Sequence, residues 1–262
     1  MKVVLVTLAV GDKYIQEYNY LFRKSHEHYA RRHGYDFRII TEPYDKSEFM
    51  FKPLSILSTK MFLCSYDWAQ EYDLLVFVDA DVVINPEAPA IHNAYDFGDK
   101  VGIVDEYSQP TRQMRIEHQR KAAKESKSVP YAGLANGEWD TCAMDYYRIH
   151  IEKHLVTDMV FNTGVLVFQP RKHRQFMEAV FEKHKNNIRA HKNGFHYEQV
   201  VIGYELQTNE KHIVMDNKWN AIWQMYKYTC GYELDTFVKN NYFVHLAGHV
   251  DYHVIPYLNA MF

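Results

Sequence analysis

A chain of 262 residues with 47% hydrophobic and 24% charged content is ordinary globular material, able to bury most of its unfolded surface without covalent staples. Its formal net charge of -3 supplies no broad positive field, which argues against nucleic acid or an anionic membrane as partner. Cys64, Cys142 and Cys230 are widely spaced with no Cys-x-x-Cys pair, so reduced thiols in a cytoplasmic setting are expected rather than a disulfide frame.

The opening run Val3-Val4-Leu5-Val6 is too short for a signal segment or a membrane span, and no transmembrane segment is expected. Short apolar runs then alternate with segments of helical period, the pattern of an α/β fold with a mostly parallel central sheet flanked by helices. Lys2–Val10 reads as a buried strand. Tyr14–Arg32 reads as one helix with Tyr14, Tyr18, Leu21, Phe22 and Tyr29 on a shared face, ended by Gly34 in a left-handed cap. Asp36–Thr41 is the second strand, and Pro53 opens a helix carrying Leu54, Leu57 and Met61 on one side.

Leu74–Val78 is a third buried strand and Val101–Val104 a fourth. Ser108–Gly137 is polar, lacks apolar periodicity and reads as an excursion beside the site with one exposed helix. Its basic run Arg112, Arg115, Arg120, Lys121 and Lys124 suits a solvated helix face, with acceptor or phosphate capture as the alternative. Phe161–Phe168 is a strand, Lys172–Arg189 and Tyr197–Leu206 are helices, and Ile213–Met215 and Tyr242–Leu246 are the last strands. Repeats, low-complexity tracts and linkers are missing from the sequence, so residues 1–262 read as a single domain.

The chemistry concentrates where Leu74-Leu75-Val76-Phe77-Val78 runs into Asp79-Ala80-Asp81. Ligands collect at the carboxyl ends of such strands. Two acids one residue apart in extended chain point to one side, with the small Ala80 leaving the turn uncrowded. Hard carboxylate oxygens suit Mg²⁺ or Mn²⁺, whose remaining positions are commonly filled by substrate phosphates and water.

Asp79-Ala80-Asp81-Val82-Val83-Ile84-Asn85-Pro86 resembles the DxD region of retaining GT-A glycosyltransferases, especially the family of yeast α-galactosyl/mannosyltransferases and plant xyloglucan xylosyltransferases. Three further pieces follow in the family's order. His28-Tyr29-Ala30-Arg31-Arg32-His33-Gly34-Tyr35-Asp36-Phe37 is similar to its entry into the second strand, Phe161-Asn162-Thr163-Gly164-Val165 to its Asn-Ser/Thr-Gly strand, and Phe243-Val244-His245-Leu246-Ala247-Gly248-His249 to its Val-His-x-Ala-Gly ending.

The resemblance implies a single GT-A domain, with residues up to about 105 binding the nucleotide and those from about 106 facing the acceptor. It implies transfer of a hexose or pentose from a nucleotide-sugar donor, UDP-linked rather than GDP-linked, to a glycan or glycoprotein hydroxyl with retention. His245 becomes the third metal ligand beside Asp79 and Asp81. Imidazole beside two carboxylates favours Mn²⁺ over Mg²⁺.

The resemblance further places Asn162 and Gly164 at the acceptor or donor sugar. Glu198 and Gln199 fall near the donor sugar and, with Asn162, are the implied catalytic residues, Glu198 stabilising or orienting the cationic sugar rather than attacking it; Tyr197 replaces the family's first acid. Thr7, Ala9 and Tyr14 are set at base and ribose, Lys60 at the diphosphate or donor sugar, and Ala80 and Gly248 among the donor-binding residues. Several bland alternatives stay open: Lys60 as a solvated helix charge, Glu198 as a helix-dipole partner, and His245 as a core histidine. His249 and His253 at helical spacing hint at a zinc face, which Gly248 and Val250 disfavour. Two whole-protein rivals also remain: a haloacid-dehalogenase-type phosphatase, which uses the same strand-Asp-x-Asp device, and a carbohydrate-binding GT-A protein without catalysis.

Overall fold

The computed structural model describes residues 1–44, 56–126, 142–189, 198–249 and 251–262. Its centre is a six-stranded sheet of β1 (Val3–Leu8), β2 (Asp36–Ile40), β3 (Leu74–Val78), β5 (Val101–Asp105), β6 (Phe161–Phe168) and β7 (His212–Met215), in the order β2-β1-β3-β6-β5-β7. β1 runs parallel to β2 and β3, and β5 parallel to β7, while β6 is antiparallel to both β3 and β5. The sheet is therefore mostly parallel, with one reversed strand through its middle.

Both faces of the sheet are covered over its inner strands, which is why β1, β3, β5 and most of β6 read as apolar runs, whereas the edge strands β2 and β7 are partly exposed. Leu75 and Phe77 of β3 face a cluster with Met61, Leu63, Met177 and Phe181. Val76 and Val78 face the opposite cluster with Tyr29, Ile84, Trp219 and Phe243. The first cluster is roofed by α5 (Pro170–Arg189) and by a 3₁₀ segment, Leu57–Ser65, in the place where the sequence suggests a helix. Pro53 and Leu54, the proposed start of that helix, lie outside the described residues.

A second, three-stranded sheet sits below the first, in the order β4 (Val82–Ile84), β9 (Phe243–His245), β8 (Ala221–Ile222). The expected single helix at the N-terminus is two, α1 (Asp12–Leu21) and α2 (Arg23–His33), broken at Phe22. The break follows from what α2 must reach. Ser25 donates its hydroxyl to the Phe22 carbonyl at 2.9 Å and accepts from the Ile84 N–H, and His26 hydrogen-bonds the Val82 carbonyl at 2.8 Å. α2 thus turns a polar edge onto β4, and Gly34 ends it in the left-handed region at φ 67° as expected.

The segment from Tyr29 to Tyr35 works as a clamp on the chain leaving β4. Tyr29 Oη donates to the Pro89 carbonyl at 2.9 Å and accepts from the Ile91 N–H at 3.0 Å, and His33 Nε2 lies 2.9 Å from the Ala88 carbonyl. Asn85 fastens the same carboxyl end of β4 from another side. Its amide lies 2.9 to 3.1 Å from the carbonyls of Val238, Lys239 and Asn241, which finish α8 (Leu234–Asn240). Terminal helix carbonyls have no partner within the helix, so a buried side chain that takes several of them stabilises the junction.

The polar excursion holds α3 (Arg112–Ser126), and residues 127–137 of it lie outside the described residues. The solvated-face expectation fails for its first turns. Arg115 is buried and pairs with Glu106 at 2.7 Å, while Arg112 reaches Asp105 at 3.3 Å. Guanidinium groups turn inward here because β5 ends on two buried acids that require counter-charges. α4 (Cys142–Ile151), α6 (Glu198–Thr208) and α7 (Trp223–Cys230) complete the layers around the sheet with a short C-terminal helix, α9 (Ile255–Leu258). Tyr197, expected to open α6, lies outside the described residues. Gly248, at φ 79°, interrupts the 3₁₀ turn Ala247–His249, so His249 and His253 do not share a regular helix. No helix among the described residues is long and apolar enough to cross a membrane.

Asn85→Ala removes the shared cap while leaving buried carbonyls behind. A loss of about 1–3 kcal/mol in unfolding free energy is expected by urea denaturation, and an unchanged midpoint would show that the cap contributes nothing.

Candidate metal centre and adjoining cleft

The strand order places β2 on one side of β1 and β3 on the other, so chain connections diverge in opposite directions between β1 and β3. In open α/β sheets, ligands lodge in the crevice at the carboxyl ends of strands beside such a switch point. A cavity of about 650 Å³ lies there, walled by Ala9, Tyr14, Tyr18, Asp79, Asp81 and Tyr252 among others. The first turn of α1, with Gly11 and Lys13, opens on the same space.

Asp79 directly follows β3, whose ladder is prolonged by its N–H donating to the Gly164 carbonyl at 2.8 Å. The chain then turns instead of staying extended. The Val82 N–H donates to the Asp79 carbonyl at 3.2 Å, and Ala80 and Asp81 form the turn that leads into β4. This differs from the extended geometry expected, because β4 must leave the main sheet for the small one. The carboxylates still meet. β4 pairs antiparallel with β9 so that Val82 faces His245, and the Leu246 N–H donates to the Asp81 carbonyl at 2.9 Å.

Among the described residues, one ligand atom each from Asp79, Asp81 and His245 lies within 4.8 Å of the others. His245 Nε2 is 3.3 Å from Asp81 Oδ1 and 4.0 Å from Asp79 Oδ2. The donor set, two carboxylate oxygens and an imidazole nitrogen, fits a divalent cation of the Mg²⁺–Mn²⁺ kind. Gly164 makes the convergence sterically possible: a Cβ there would sit 2.4 Å from both Cε1 and Nδ1 of His245. The ring that approaches the Gly164 backbone is thus this imidazole.

Beneath the acids lies Lys60, only 3% exposed and not a solvated charge. Its ammonium reaches Asp79 at 2.8 Å and Glu198 at 2.7 Å, and lies 3.4 Å from the Thr163 carbonyl. Burial works against the ammonium, but Asp79 and Glu198 outweigh it and hold the Lys60 pKa above its ordinary value. Glu198, the first residue of α6, takes the Thr163 hydroxyl on the same oxygen at 2.8 Å.

Burial raises the Asp79 carboxyl, Lys60 opposes it, Asp81 adds to the upward push, and the net is up. Asp81 is pushed up by burial too, yet the adjacent His245 outweighs this and leaves it low. For His245 the balance is reversed: burial pulls the ring down, and Asp81 brings it above its ordinary value. The cluster therefore favours charge separation between Asp81 and His245.

Asn162 lies behind this layer on β6, with Gln199 beside it at 3.1 Å, and both contact Glu106. Thr7 is fully buried in β1, with its hydroxyl unpartnered among the described residues, while Ala9 and Tyr14 stand in the cavity wall. Gly248 lies beyond β9, exposed. The structure adds Glu106, Asn220 and Tyr252 to the neighbourhood. Glu106 ends a buried strand as Asp79 does, a signal legible in the sequence, whereas nothing in the spacing marks Asn220 or Tyr252.

No protein-family model and no curated protein matches the sequence. Similarity appears at the level of solved structures. A glycosyltransferase involved in the glycosylation of the major capsid of PBCV-1 superposes with a TM-score of 0.58 at 16% identity, over 100% of both chains. The bifunctional glycosyltransferase WbbM matches at 0.58 and 14%, covering 94% of this chain and 46% of that one. GlyE of Streptococcus pneumoniae TIGR4 matches at 0.53 and 10%, covering 100% and 61%. The fold is that of GT-A glycosyltransferases. The chain spans about half of WbbM and three fifths of GlyE. This fold also accounts for the two βα units that precede Asp79, an arrangement that the phosphatase alternative leaves unexplained.

Gly164→Ala is expected to push the His245 ring out of the cluster. Calorimetric titration with MnCl₂ should show binding weakened by about tenfold or more with the circular dichroism unchanged; equal affinity in a folded variant would mean that the close approach is dispensable.

Proposed function

We propose that this chain is a glycosyltransferase that moves a sugar from a nucleoside-diphosphate donor to a hydroxyl of a glycan or glycoprotein. One observation carries the proposal: a two-carboxylate, one-imidazole cluster on the wall of a cavity at the switch point of a GT-A fold. Residues 1–105 form the donor half and 106–262 the acceptor half of one domain. UDP is the preferred nucleotide and GDP the alternative, on the strength of the sequence resemblance.

Asp79, Asp81 and His245 would hold the cation, with Mn²⁺ favoured by the imidazole and Mg²⁺ as the substitute. When bound, such an ion supplies Lewis-acid neutralisation of the charge that grows on a departing diphosphate. The remaining roles belong to the chain itself. Ala9 and Tyr14 line the space assigned to base and ribose, and Thr7 supports it from within β1. Lys60 keeps a fixed positive charge under Asp79, and Ala80 stands in the cavity wall toward the phosphates. Gly248, without a side chain, leaves the loop after β9 open to them.

Glu198 Oε1 already accepts from Lys60 and Thr163. Its proposed part is to hold Lys60 and the adjoining wall, not to attack the sugar. Asn162 and Gln199, tied to each other and to Glu106, shape the sugar end from behind Gly164. In the transfer, the anomeric carbon–phosphate oxygen bond breaks and a bond to the acceptor oxygen forms on the same face. The acceptor proton passes to the leaving diphosphate, so configuration is retained without an enzymic base.

A ligand that binds only the folded state raises its melting temperature by mass action. UDP or a UDP-sugar should therefore raise it in the presence of Mn²⁺ and much less in its absence. Asp79→Asn and Asp81→Asn remove interactions worth several kcal/mol in the transition state. At about 1.4 kcal/mol per decade, donor turnover should fall by at least about a hundredfold. Undiminished donor hydrolysis in either variant would refute the assignment, an inverted anomeric centre in product NMR would refute retention, and nucleotide binding without release of nucleoside diphosphate would favour a binding protein.

A further inference from the structure

His245 has two ring nitrogens, and only a bare Nε2 can serve as a metal ligand toward Asp79 and Asp81. Which nitrogen keeps its proton is decided by what faces Nδ1, and that is Asn220 Oδ1 at 3.1 Å. An amide can be turned around, so the polarity of Asn220 has to be derived from groups that cannot reverse.

Two such groups fix it. The Gly164 backbone N–H, which can only donate, lies 2.9 Å from Asn162 Oδ1. The Glu106 carboxylate accepts from Asn162 Nδ2 at 3.0 Å while also accepting from Arg115. Together they set Asn162 with its oxygen toward Gly164 and its nitrogen toward Glu106. Asn220 Nδ2 lies 2.7 Å from that same Asn162 oxygen, so it must donate there, and its own oxygen is left to face His245. An oxygen in that place requires a proton on Nδ1. Asn220 is fully buried, and its main-chain carbonyl accepts from Gln109 Nε2 at 3.0 Å, while Gln109 Oε1 accepts from the Ile222 N–H at 3.0 Å. Asp81, which competes for the ring from the other side, is about a quarter exposed and can turn to solvent.

We propose that Asn220 is a positioning residue that keeps a proton on His245 Nδ1, so that Nε2 is the nitrogen left to give up its proton and ligate a cation beside the two carboxylates, its orientation set through Asn162 by Gly164 and Glu106. The consequence for metal affinity rests on the metal centre proposed above; the placement of the proton does not. Outer hydrogen-bond partners of ligating histidines typically change metal affinity by about 10–100-fold when removed.

The test uses full-length protein labelled with ¹⁵N-histidine, with His245→Gln as the blank that assigns the ring signals. Metal-free wild type should show a proton on Nδ1 of His245, protected from exchange. Asn220→Leu should lose that protection and bind Mn²⁺ about 10–100-fold more weakly by electron paramagnetic resonance of the free ion. Asn220→Asp keeps an acceptor toward Nδ1 but gives up the donation to Asn162, so it should melt at a lower temperature while keeping both the Nδ1 proton and most of the affinity. A wild-type ring protonated on Nε2 alone would overturn the proposal, as would an Asn220→Leu variant with proton and affinity unchanged. An intact Nδ1 proton in a wild type that fails to bind Mn²⁺ would remove the metal centre and leave the proton assignment standing.

Discussion

The antiparallel pairing of β4 with β9 is the contact on which the site depends. It sets Val82 opposite His245, and with it two acids at the end of one strand beside an imidazole more than 160 positions further along the chain. A slip of one residue would turn the imidazole to the other face of the small sheet. Much of the surrounding structure reads as a means of preventing that slip. The α2 edge holds β4 itself, Tyr29 and His33 hold the chain that leaves it, and Asn85 ties its carboxyl end to α8. The segment His28–Phe37, which resembles a glycosyltransferase motif, thereby gains a physical role: it secures the strand that follows Asp81.

Charge balance is the second constraint. Lys60 and Glu198 share a nearly dry space under the partly exposed Asp79, where an unpaired charge would be strongly destabilising. One ammonium between two carboxylates leaves a net negative cluster once Asp81 is counted, partly offset when His245 is protonated. Such a charge balance leaves an electrostatic demand for a cation at the solvent side of the cluster. Behind it the pattern repeats: Asp105 and Glu106 end β5 and are answered by Arg112 and Arg115. Two strands that end in acids, β3 and β5 on either side of β6, thus give the sheet's carboxyl edge a layered arrangement of charge.

The sequence was most legible where burial is complete on both faces. Leu74–Val78 and Phe161–Phe168 agree with the observed strands to the residue, because a strand covered above and below shows a dense run of buried positions, which in β6 takes in even the polar Asn162 and Thr163. Legibility fell where a tertiary demand overrode local period. The break at Phe22 serves contacts with β4 that no window of α1 and α2 can contain, and strands of two or three residues such as β8 and β4 are too short to show alternation. α4 carried a usable signal in Ala143, Tyr147 and Ile151, spaced four apart and all buried, yet lies outside the elements read from the sequence. Within the site, Asp79, Asp81 and His245 could be named in advance, whereas Lys60 could not be told from a surface lysine until its partners were located. Asn220 left no trace at all, since an asparagine that orients another side chain has no spacing of its own.

The central claim is that these two acids and this imidazole hold one divalent ion. Crystals soaked in MnCl₂ and UDP and measured at the manganese absorption edge test it directly. The account predicts a single strong anomalous peak within bonding distance, roughly 2 Å, of Asp79, Asp81 and His245 Nε2. A peak elsewhere, or an empty cluster in crystals that contain ordered nucleotide, would contradict it.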